Sequence, residues 1–306
     1  MSPTVPTVNL NDGNSIPILG YGLGTANFKS GSAKDKFDSA IVSATVTAIK
    51  AGYHHLDGAE SYGNEAELGA AISQAGIPRD QLFVTTKTSC RRGETIELAF
   101  SRSLQELGLD YVDLYLIHSP FFGADGKAAT KQELQAKWAE VEALKDSGRA
   151  KSIGVSNYLK EHLEAVLETA KYPPAVNQIE YHPYLQHNED KDGDLLEYHR
   201  DKGIVVEAYS PLTAVTKAKG GPVDGVYERL AEKYKVTPGE VALRWVIDQG
   251  VVALTTSKSE ERLKGWLERL WTFQLSDEEV KEISDKGKEK HFRGFWNNKF
   301  DEGDRR

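Results

Sequence analysis

Val112-Asp113-Leu114-Tyr115-Leu116-Ile117, followed by His118, is the stretch that indicates the fold of this 306-residue chain most clearly. Its apolar residues do not alternate with polar ones, which is typical of a strand buried on both faces of a parallel sheet. Similar short runs occur along the whole chain. Together the runs cover residues 19–25, 54–59, 82–88, 112–119, 150–157, 175–181, 204–211 and 251–257.

Segments with helical periodicity lie between these runs, at residues 39–51, 64–74, 94–107, 131–146, 159–169, 195–202 and 238–248. Several end at a glycine, such as Gly52, Gly108 and Gly203, and glycine is the preferred residue just past the end of a helix. Successive runs begin roughly 25 to 47 residues apart, which is the length of one strand and its crossover helix. We therefore predict an α/β protein, a (β/α)₈ TIM barrel formed by residues 1–306 as a single domain. An open, doubly wound sheet is the alternative.

Three segments lie outside this repeat. Residues 5–9 and 15–18 flank Asn11-Asp12-Gly13-Asn14, which predicts a β-hairpin that caps the N-terminal mouth of the barrel. Residues 212–222 contain Lys-Ala-Lys-Gly-Gly-Pro and are expected to be mobile. The C-terminal residues 286–306 carry Phe292, Phe295, Trp296 and Phe300 among charges. We expect this tail to lie over the active-site face, either as a cover for a pocket or as a structural clamp.

Composition limits the partners of the chain. The formal net charge is −8 and the isoelectric point is about 5.6, which argues against nucleic acid as the main partner. No stretch of about 18 apolar residues is present, so no membrane span is predicted. Residues 1–10 lack the pattern of a secretory signal, and Cys90 is the only cysteine. These features favour a reducing compartment and a cytoplasmic protein.

Polar side chains follow three neighbouring strands at the face where TIM barrels carry their chemistry. Asp57 ends the second predicted strand, with Tyr62 in the loop behind it. Lys87 ends the third strand and His118 ends the fourth. We expect an acid, a phenol, an amine and an imidazole to converge there.

These four residue types suit the protonation of a carbonyl oxygen. A phenol titrates near pH 10, and a nearby ammonium group favours its deprotonation and lowers its pKa. A buried lysine needs a counter-ion, which Asp57 can supply, and an imidazole can orient the carbonyl. The alternative is that Asp57 and Lys87 form only a structural ion pair and that His118 is an ordinary core histidine.

The remaining strand ends predict a cofactor platform. Ser156 and Asn157 end the fifth strand, Gln178 lies in the sixth, and Tyr209 and Ser210 end the seventh. Serine, asparagine and glutamine can bind an amide, and a tyrosine ring offers a flat face for stacking. After the eighth strand, Ser257, Lys258 and Arg262 stand at the start of a helix, which suits a phosphate. The alternative for this last segment is a capping box with a solvated charged face.

Two other kinds of site are not supported. The run Gly20-Tyr21-Gly22-Leu23-Gly24-Thr25 lacks the third glycine of the dinucleotide fingerprint and the acidic residue that follows it. Its glycines are expected to clear space on the barrel floor or near a ligand. No spaced set of ligands predicts a metal site.

The chain resembles the aldo-keto reductase superfamily over nearly its whole length. The resemblance rests on residues 52–59 (Gly-Tyr-His-His-Leu-Asp-Gly-Ala), on Tyr62 with Gly63-Asn64-Glu65, and on Lys87. Residues 116–120, 154–157, 177–183 and 208–212 complete it. The details are most similar to the fungal branch that reduces α-diketones, conjugated polyketones and ketopantoyl lactone.

This resemblance implies a TIM barrel that uses NADPH to reduce aldehydes or ketones. It implies that Tyr62 is the general acid, that Lys87 lowers its pKa, that Asp57 holds Lys87 and that His118 orients the carbonyl. Tyr209 would stack on the nicotinamide ring, and Ser257 and Arg262 would bind the 2′-phosphate. The other residues that it places at the cofactor are Gly24, Thr25, Asp57, Ser156, Asn157, Gln178, Ser210, Leu212, Thr256 and Lys258.

The chain departs from the family at several of these positions. Thr256 replaces a lysine that many members have, and Lys258 can supply that charge. Gly265 and Trp266 replace a Glu-Asn pair that often contacts adenine, and Trp266 is a candidate to stack on adenine instead. Ala26 and Ser119 replace two tryptophans of the substrate pocket, which also includes Phe121. We therefore expect a roomier, less aromatic pocket.

The predicted function is that of a cytosolic, monomeric carbonyl reductase acting on a small molecule such as an aldehyde, an α-keto ester, a diketone or a keto-lactone. One alternative is a redox-sensing subunit that binds the nucleotide on the same barrel without fast turnover. A second alternative is a metal-independent isomerase of phosphorylated compounds, which would not bind NADPH.

Overall fold

Eight parallel strands close into a barrel in the computed structural model, which describes residues 5–34, 36–188 and 193–306. The barrel strands are β3 (Leu19–Gly22), β4 (His55–Asp57), β5 (Phe83–Thr88), β6 (Val112–Ile117), β7 (Ala150–Ser156), β8 (Val176–Glu180), β9 (Val205–Tyr209) and β10 (Val252–Thr255). Their order around the barrel is β10-β3-β4-β5-β6-β7-β8-β9, so every strand except β10 pairs with the next in sequence, and β10 closes onto β3. The predicted TIM barrel is confirmed and the open sheet is excluded.

Helices surround the barrel and connect its strands. In the described residues they are α1 (Ser39–Ala51), α2 (Glu65–Ala75), α3 (Ile96–Leu107), α4 (Lys131–Asp146), α5 (Lys160–Leu167), α6 (Leu195–Lys202), α7 (Thr213–Thr216), α8 (Asp224–Tyr234), α9 (Pro238–Ile247), α10 (Glu260–Arg269) and α11 (Asp277–Lys288). Local capping fixes their ends. The Asp38 side chain accepts a hydrogen bond from Ala40 N at the start of α1, and Gly108 ends α3 with a left-handed φ of 63°.

Side chains fill the barrel interior and helices cover its outside, so the strands are buried on both faces. Every residue of β5 and β6 is buried, as the unbroken apolar run in β6 predicted. Between β7 and β8 the backbones approach so closely that a Cβ on Gly154 would lie 2.4 Å from the carbonyl oxygen of Val176. Glycine is therefore required at this position for the two strands to pair.

The predicted hairpin caps the N-terminal mouth of the barrel. Its strands β1 (Thr7–Asn9) and β2 (Ser15–Pro17) pair antiparallel, with Val8 opposite Ile16. Ile16 is fully buried, and Asn11 Nδ2 donates to the carbonyl oxygen of Pro174. The hairpin thus closes the end of the barrel opposite the predicted site.

The first part of residues 212–222, the segment expected to be mobile, is helical and packed. Thr213–Thr216 form the short helix α7, whose Thr213 and Ala214 are buried, and α7 packs against α9. The glycines and lysines of this segment do not reveal the packing of α7, because its partner helix α9 is distant in the sequence.

The C-terminal tail was predicted over residues 286–306; residues 286–288 are instead the end of α11, and residues 289–306 lie over the face at the carboxyl ends of the strands, as predicted. The Trp296 and Phe300 rings lie 5.5 and 5.8 Å from the Phe121 ring, and Phe295 contacts Tyr209 edge-on at 5.4 Å. The carboxylate of Glu180, at the end of β8, accepts hydrogen bonds from the backbone N–H groups of Gly294 and Phe295. Among the described helices, none is long and apolar enough to cross a membrane.

Candidate active site

The four predicted catalytic side chains meet at the carboxyl ends of β4, β5 and β6. Asp57 is the last residue of β4, and Tyr62 ends a short 3₁₀ helix, Glu60–Tyr62, that follows it. Lys87 lies near the end of β5, and His118 follows β6 directly. Because neighbouring parallel strands end at the same edge, residues that are distant in sequence converge here.

Lys87 is the centre of this group and is fully buried. Its Nζ donates to Asp57 Oδ1 at 2.7 Å, to the carbonyl oxygen of Gly58 at 2.8 Å and to the Tyr62 hydroxyl at 3.2 Å. An ammonium group has three N–H donors, and all three are used. The hydrogen bonds to Asp57 and Gly58 therefore hold the amine in place beside the phenol.

The electrostatics keep Lys87 charged. Burial lowers the pKa of Lys87, but the nearby Asp57 carboxylate and Tyr62 raise it more, so its pKa lies well above the ordinary lysine value. Burial raises the pKa of Tyr62, while Lys87 lowers it. The net pKa of Tyr62 is above the ordinary value. The expected influence of Lys87 is present, but desolvation outweighs it.

His118 is neutral at physiological pH, because burial and the Lys87 charge lower its pKa to about 3. Its ring contacts the Tyr62 ring edge-on, with 5.5 Å between centroids. Its Nδ1 lies 3.2 Å from the hydroxyl of Ser61, a contact that the sequence analysis missed. Since Ser61 directly precedes Tyr62, the short helix brings the Ser61 hydroxyl and the Tyr62 ring to the same imidazole.

Gly24 allows the Tyr62 ring to reach this position. A Cβ at Gly24 would lie 2.7 Å from Tyr62 Cζ, so any side chain would displace the phenol. Thr25 and Ala26 follow on an exposed bend after β3. The family resemblance places Gly24 at the cofactor, and the structure places it directly against the phenol.

The predicted amide-binding residues are joined to one another at the ends of β7 and β8. Ser156 Oγ donates to the carbonyl oxygen of Gln178, and Asn157 Nδ2 donates to Ser156 Oγ and to the carbonyl oxygen of His118. Asn157 Oδ1 accepts a 2.7 Å hydrogen bond from the Tyr209 hydroxyl. The structure thus brings Tyr209 to the same cluster. Ser210, just past β9, adopts a left-handed φ of 57°, and Leu212 directly precedes α7.

A second cluster lies after β10, at the start of α10. Ser259 caps the helix, and Ser257 Oγ accepts from Ser259 N. Lys258 and Arg262 are exposed, and no hydrogen bond or ion pair joins their side chains to another described residue. The Thr256 hydroxyl is buried and has no hydrogen-bond partner in the described structure. These are the features of an anion site at a helix N-terminus.

Trp266 is not placed to stack on a ligand. It is only 4% exposed and belongs to the hydrophobic core. The periodicity of α10 explains this position, because Leu263 and Leu267 share the buried face of the helix. The prediction that Trp266 contacts adenine is therefore wrong for this conformation.

Aromatic side chains from three segments make ring contacts near the candidate catalytic residues. Phe28 is half-exposed and contacts the Tyr62 ring edge-on at 6.2 Å, a residue that the sequence analysis missed. Phe121 contacts Trp296 and Phe300, and Ser119 Oγ accepts a hydrogen bond from Phe121 N. Among the described residues, no cluster of acids, histidines and cysteines is arranged to hold a metal ion.

Comparison with known proteins identifies the family. A sequence profile described as "Aldo/keto reductase family" matches residues 21–288, which is most of the chain. The chain belongs to the aldo/keto reductase family. This aldo/keto reductase is 37% identical to the NAD/NADP-dependent indole-3-acetaldehyde reductase of Schizosaccharomyces pombe, over 92% of this chain and 96% of that protein.

Two further proteins are similar along most of their length. The NADPH-dependent alpha-keto amide reductase of Saccharomyces cerevisiae is 36% identical, over 94% of this aldo/keto reductase and 93% of the yeast protein. The crystal structure of a Bombyx mori aldo-keto reductase in complex with NADP superimposes with a TM-score of 0.79 at 33% identity. It covers 92% of each chain.

Proposed function

We propose that this aldo/keto reductase is an NADPH-dependent carbonyl reductase that converts aldehydes or ketones to alcohols. We propose α-keto esters, diketones and keto-lactones as the substrate classes. The name of the similar yeast protein, an NADPH-dependent alpha-keto amide reductase, supports a carbonyl beside a second polarised carbon. The aromatic rings around the mouth of the site suit the apolar part of such a molecule.

The single observation that carries this proposal is the 3.2 Å contact between Lys87 Nζ and the Tyr62 hydroxyl. A phenol donates a proton readily at neutral pH only if the phenolate that remains is stabilised. Lys87 is charged and fixed in place by Asp57, so it can stabilise that phenolate without moving. We assign the general acid to Tyr62 on this basis.

NADP(H) is the cofactor, and its reduced nicotinamide supplies the hydride to the carbonyl carbon when bound. Tyr62 then transfers its hydroxyl proton to the carbonyl oxygen, and Lys87 stabilises the phenolate. Neutral His118 donates a hydrogen bond that orients the carbonyl toward Tyr62. Asp57 keeps the ammonium group of Lys87 directed at the phenol.

The residues around the site fit NADP(H). Among the described residues, the buried Thr256 hydroxyl has no hydrogen-bond partner and the Lys258 and Arg262 side chains have no ion-pair partner, so these groups suit a phosphate beside Ser257. We propose that Ser156, Asn157 and Gln178 bind the carboxamide and that Tyr209 stacks on the nicotinamide ring. We also propose that the cofactor, between its carboxamide and its 2′-phosphate, passes along four further residues: Gly24, Thr25, Ser210 and Leu212.

We further propose that residues 1–306 work as a single domain, as a monomer in the cytoplasm, on a small carbonyl compound. The net charge of −8 and the single cysteine support this setting. Ala26, Ser119 and Phe121 are the proposed substrate-pocket residues, to which we add Phe28.

A screen of carbonyl compounds tests the proposed function. The loss of NADPH or NADH absorbance is followed in parallel with ethyl pyruvate, diacetyl, isatin and para-nitrobenzaldehyde. We expect turnover with NADPH on the α-dicarbonyl compounds and slower turnover with NADH. Tight NADPH binding without turnover on any carbonyl would instead favour a redox-sensing subunit, and the absence of NADPH binding would refute both readings.

A further inference from the structure

The loop between β3 and α1 holds an aromatic ring beside the candidate proton donor. Phe28 in this loop is 50% exposed, and its ring meets the Tyr62 ring edge-on with 6.2 Å between centroids. The second ring that contacts Tyr62 among the described residues, His118, belongs to the proposed reaction. Phe28 has no chemical role in that reaction, but its exposed apolar surface lies next to the phenol that the carbonyl compound approaches.

Hydrogen bonds fasten both neighbours of Phe28 to the chain around Tyr62. Lys29 N donates to the carbonyl oxygen of Tyr62 at 3.0 Å. The fully buried Asn64 side chain donates from Nδ2 to the carbonyl oxygen of Asn27 at 2.8 Å. The residues before and after Phe28 are therefore joined to the short helix that carries the phenol and to the residue that precedes α2.

A buried ion pair fixes the same loop to α2. Lys29 Nζ lies 2.7 Å from Glu67 Oε1, with only 8% and 1% of the two side chains exposed. Asp38 N donates to the same oxygen at 2.8 Å, so Glu67 holds the loop at two points. A buried charge that loses its partner is strongly destabilising. Movement of Lys29 away from α2 is therefore costly, and the neighbouring Phe28 keeps its position beside Tyr62.

Exposure alone would not single out Phe28, since apolar residues are common on protein surfaces. Phe37 in the same loop is 62% exposed, but no ring contact joins it to another described residue. Phe28 differs because it contacts the phenol and because a buried anchor follows it in the chain. Such a ring can shield the apolar group of a bound compound from water, and two aromatic rings attract each other more than their buried area alone accounts for.

We propose that Phe28 is a specificity-determining residue that selects carbonyl compounds with an aromatic ring on the carbonyl carbon, and that Lys29 and Glu67 are positioning residues that hold Phe28 beside Tyr62. This inference rests on the proposed function and narrows its substrate class from α-keto esters in general to aryl α-keto esters.

The first test compares two substrates that differ in one group, ethyl benzoylformate with a phenyl and ethyl pyruvate with a methyl on the keto carbon. The measured quantity is the ratio of their kcat/KM values with NADPH. We expect the wild type to prefer ethyl benzoylformate, and Phe28→Ala to lower the ratio about three- to tenfold, mainly through a raised KM for ethyl benzoylformate. Phe37→Ala removes the same ring from the same loop and should leave the ratio unchanged. A ratio that Phe28→Ala does not change, or that both variants lower equally, would overturn the assignment.

The second test asks whether Lys29 acts through Phe28. In the wild-type background Lys29→Met should lower the same ratio, whereas in the Phe28→Ala background it should not lower it further. An equal fall of the ratio in both backgrounds would refute the positioning role. If Lys29→Met does not fold, the combination of Lys29→Met and Glu67→Gln, which leaves no unpaired buried charge, takes its place. In the wild type the Lys29 amide should be protected from hydrogen exchange, and an unprotected amide would refute the fixed loop.

The third test does not depend on turnover. Ethyl mandelate and ethyl lactate are the alcohols that correspond to the two substrates, and an alcohol cannot accept a hydride from NADPH. Calorimetry on the NADPH-loaded protein should show tighter binding of ethyl mandelate, and Phe28→Ala should weaken that binding about three- to tenfold. Equal affinity of the wild type for the two alcohols would overturn the aromatic selectivity even if the protein reduces carbonyls. A wild type that reduces no carbonyl but binds ethyl mandelate through Phe28 would refute the proposed function and leave the aromatic selectivity standing.

Discussion

The hydroxyl of Ser61 lies 3.2 Å from Nδ1 of His118. Because His118 is neutral, it carries one proton, and the group at one nitrogen determines which nitrogen holds it. A hydroxyl that donates to Nδ1 leaves the proton on Nε2, where it can be donated to a substrate carbonyl. Ser61 is therefore expected to select the tautomer that the proposed reaction needs.

Replacing Ser61 by alanine should lower kcat/KM by about tenfold, because the imidazole loses its fixed tautomer and orientation. The dissociation constant of NADPH, measured by quenching of tryptophan fluorescence, should not change. Ser61→Thr retains the hydroxyl and is the matched control. Equal losses in both variants would mean that the packing of the side chain matters and the hydroxyl does not.

Asp57→Asn should destabilise the protein by about 3 to 5 kcal/mol, since it leaves the fully buried ammonium of Lys87 without its counter-ion. Chemical denaturation measures this change. The variant with both Asp57→Asn and Lys87→Met removes the charge as well and should recover part of the loss. If the double variant is less stable than Asp57→Asn, the ion pair does not explain the destabilisation.

Glu180 should hold the C-terminal residues 289–306 over the site in a pH-dependent way. Burial raises the pKa of Glu180, but hydrogen bonds from His182, Gly294 N and Phe295 N lower it more, and its net pKa is below the ordinary value. A group whose folded pKa is lowered stabilises the folded state above its unfolded pKa. That stabilisation is lost as the pH falls through the folded value.

Limited proteolysis can measure this attachment. Cleavage within residues 289–306 should be slow at neutral pH and faster when the pH falls below the ordinary carboxylate pKa. Glu180→Gln, which has one acceptor oxygen instead of two, should be cleaved faster at neutral pH and should have a raised KM for the carbonyl compound. A cleavage rate that does not depend on pH in the wild type would contradict the role given to Glu180.

Arg262→Ala should weaken NADPH binding by about ten- to a hundredfold, the effect of losing one charge-assisted hydrogen bond to a phosphate. NADH lacks the 2′-phosphate, so its affinity should stay the same. Fluorescence titration with both nucleotides measures the difference. Lys258→Ala is the companion variant. Many family members have a lysine at the position of Thr256, and Lys258, two residues further on, can supply that charge. An equal loss of affinity for NADH would mean that Arg262 does not contact the 2′-phosphate.

The regular part of the fold could be predicted because it is encoded locally. The helix predicted over residues 39–51 is observed as Ser39–Ala51, where Asp38 and Gly52 mark its ends. The eight strands were located from unbroken apolar runs such as 112–117, which the buried sheet of a barrel requires. Asp57, Tyr62, Lys87 and His118 converge because strand ends meet at one edge.

The contacts that were missed join segments far apart in sequence. Phe28 reaches Tyr62 from the β3 loop, and Glu207 reaches His55 across the barrel. No local pattern predicts such pairs, since each residue is unremarkable in its own segment. The helix α8 (Asp224–Tyr234) also lay outside the predicted repeat. The net pKa of Tyr62 could not be predicted either, because it depends on how much burial opposes the Lys87 charge.

The most direct test of the central claim is a single-turnover measurement on Tyr62→Phe. The protein is loaded with NADPH and mixed with ethyl pyruvate, and nucleotide oxidation is followed by absorbance. With Tyr62 as the proton donor, the rate should fall by about a hundredfold to ten-thousandfold while NADPH binds with unchanged affinity. A rate within about threefold of the wild type would show that the proton comes from another group and would contradict the account.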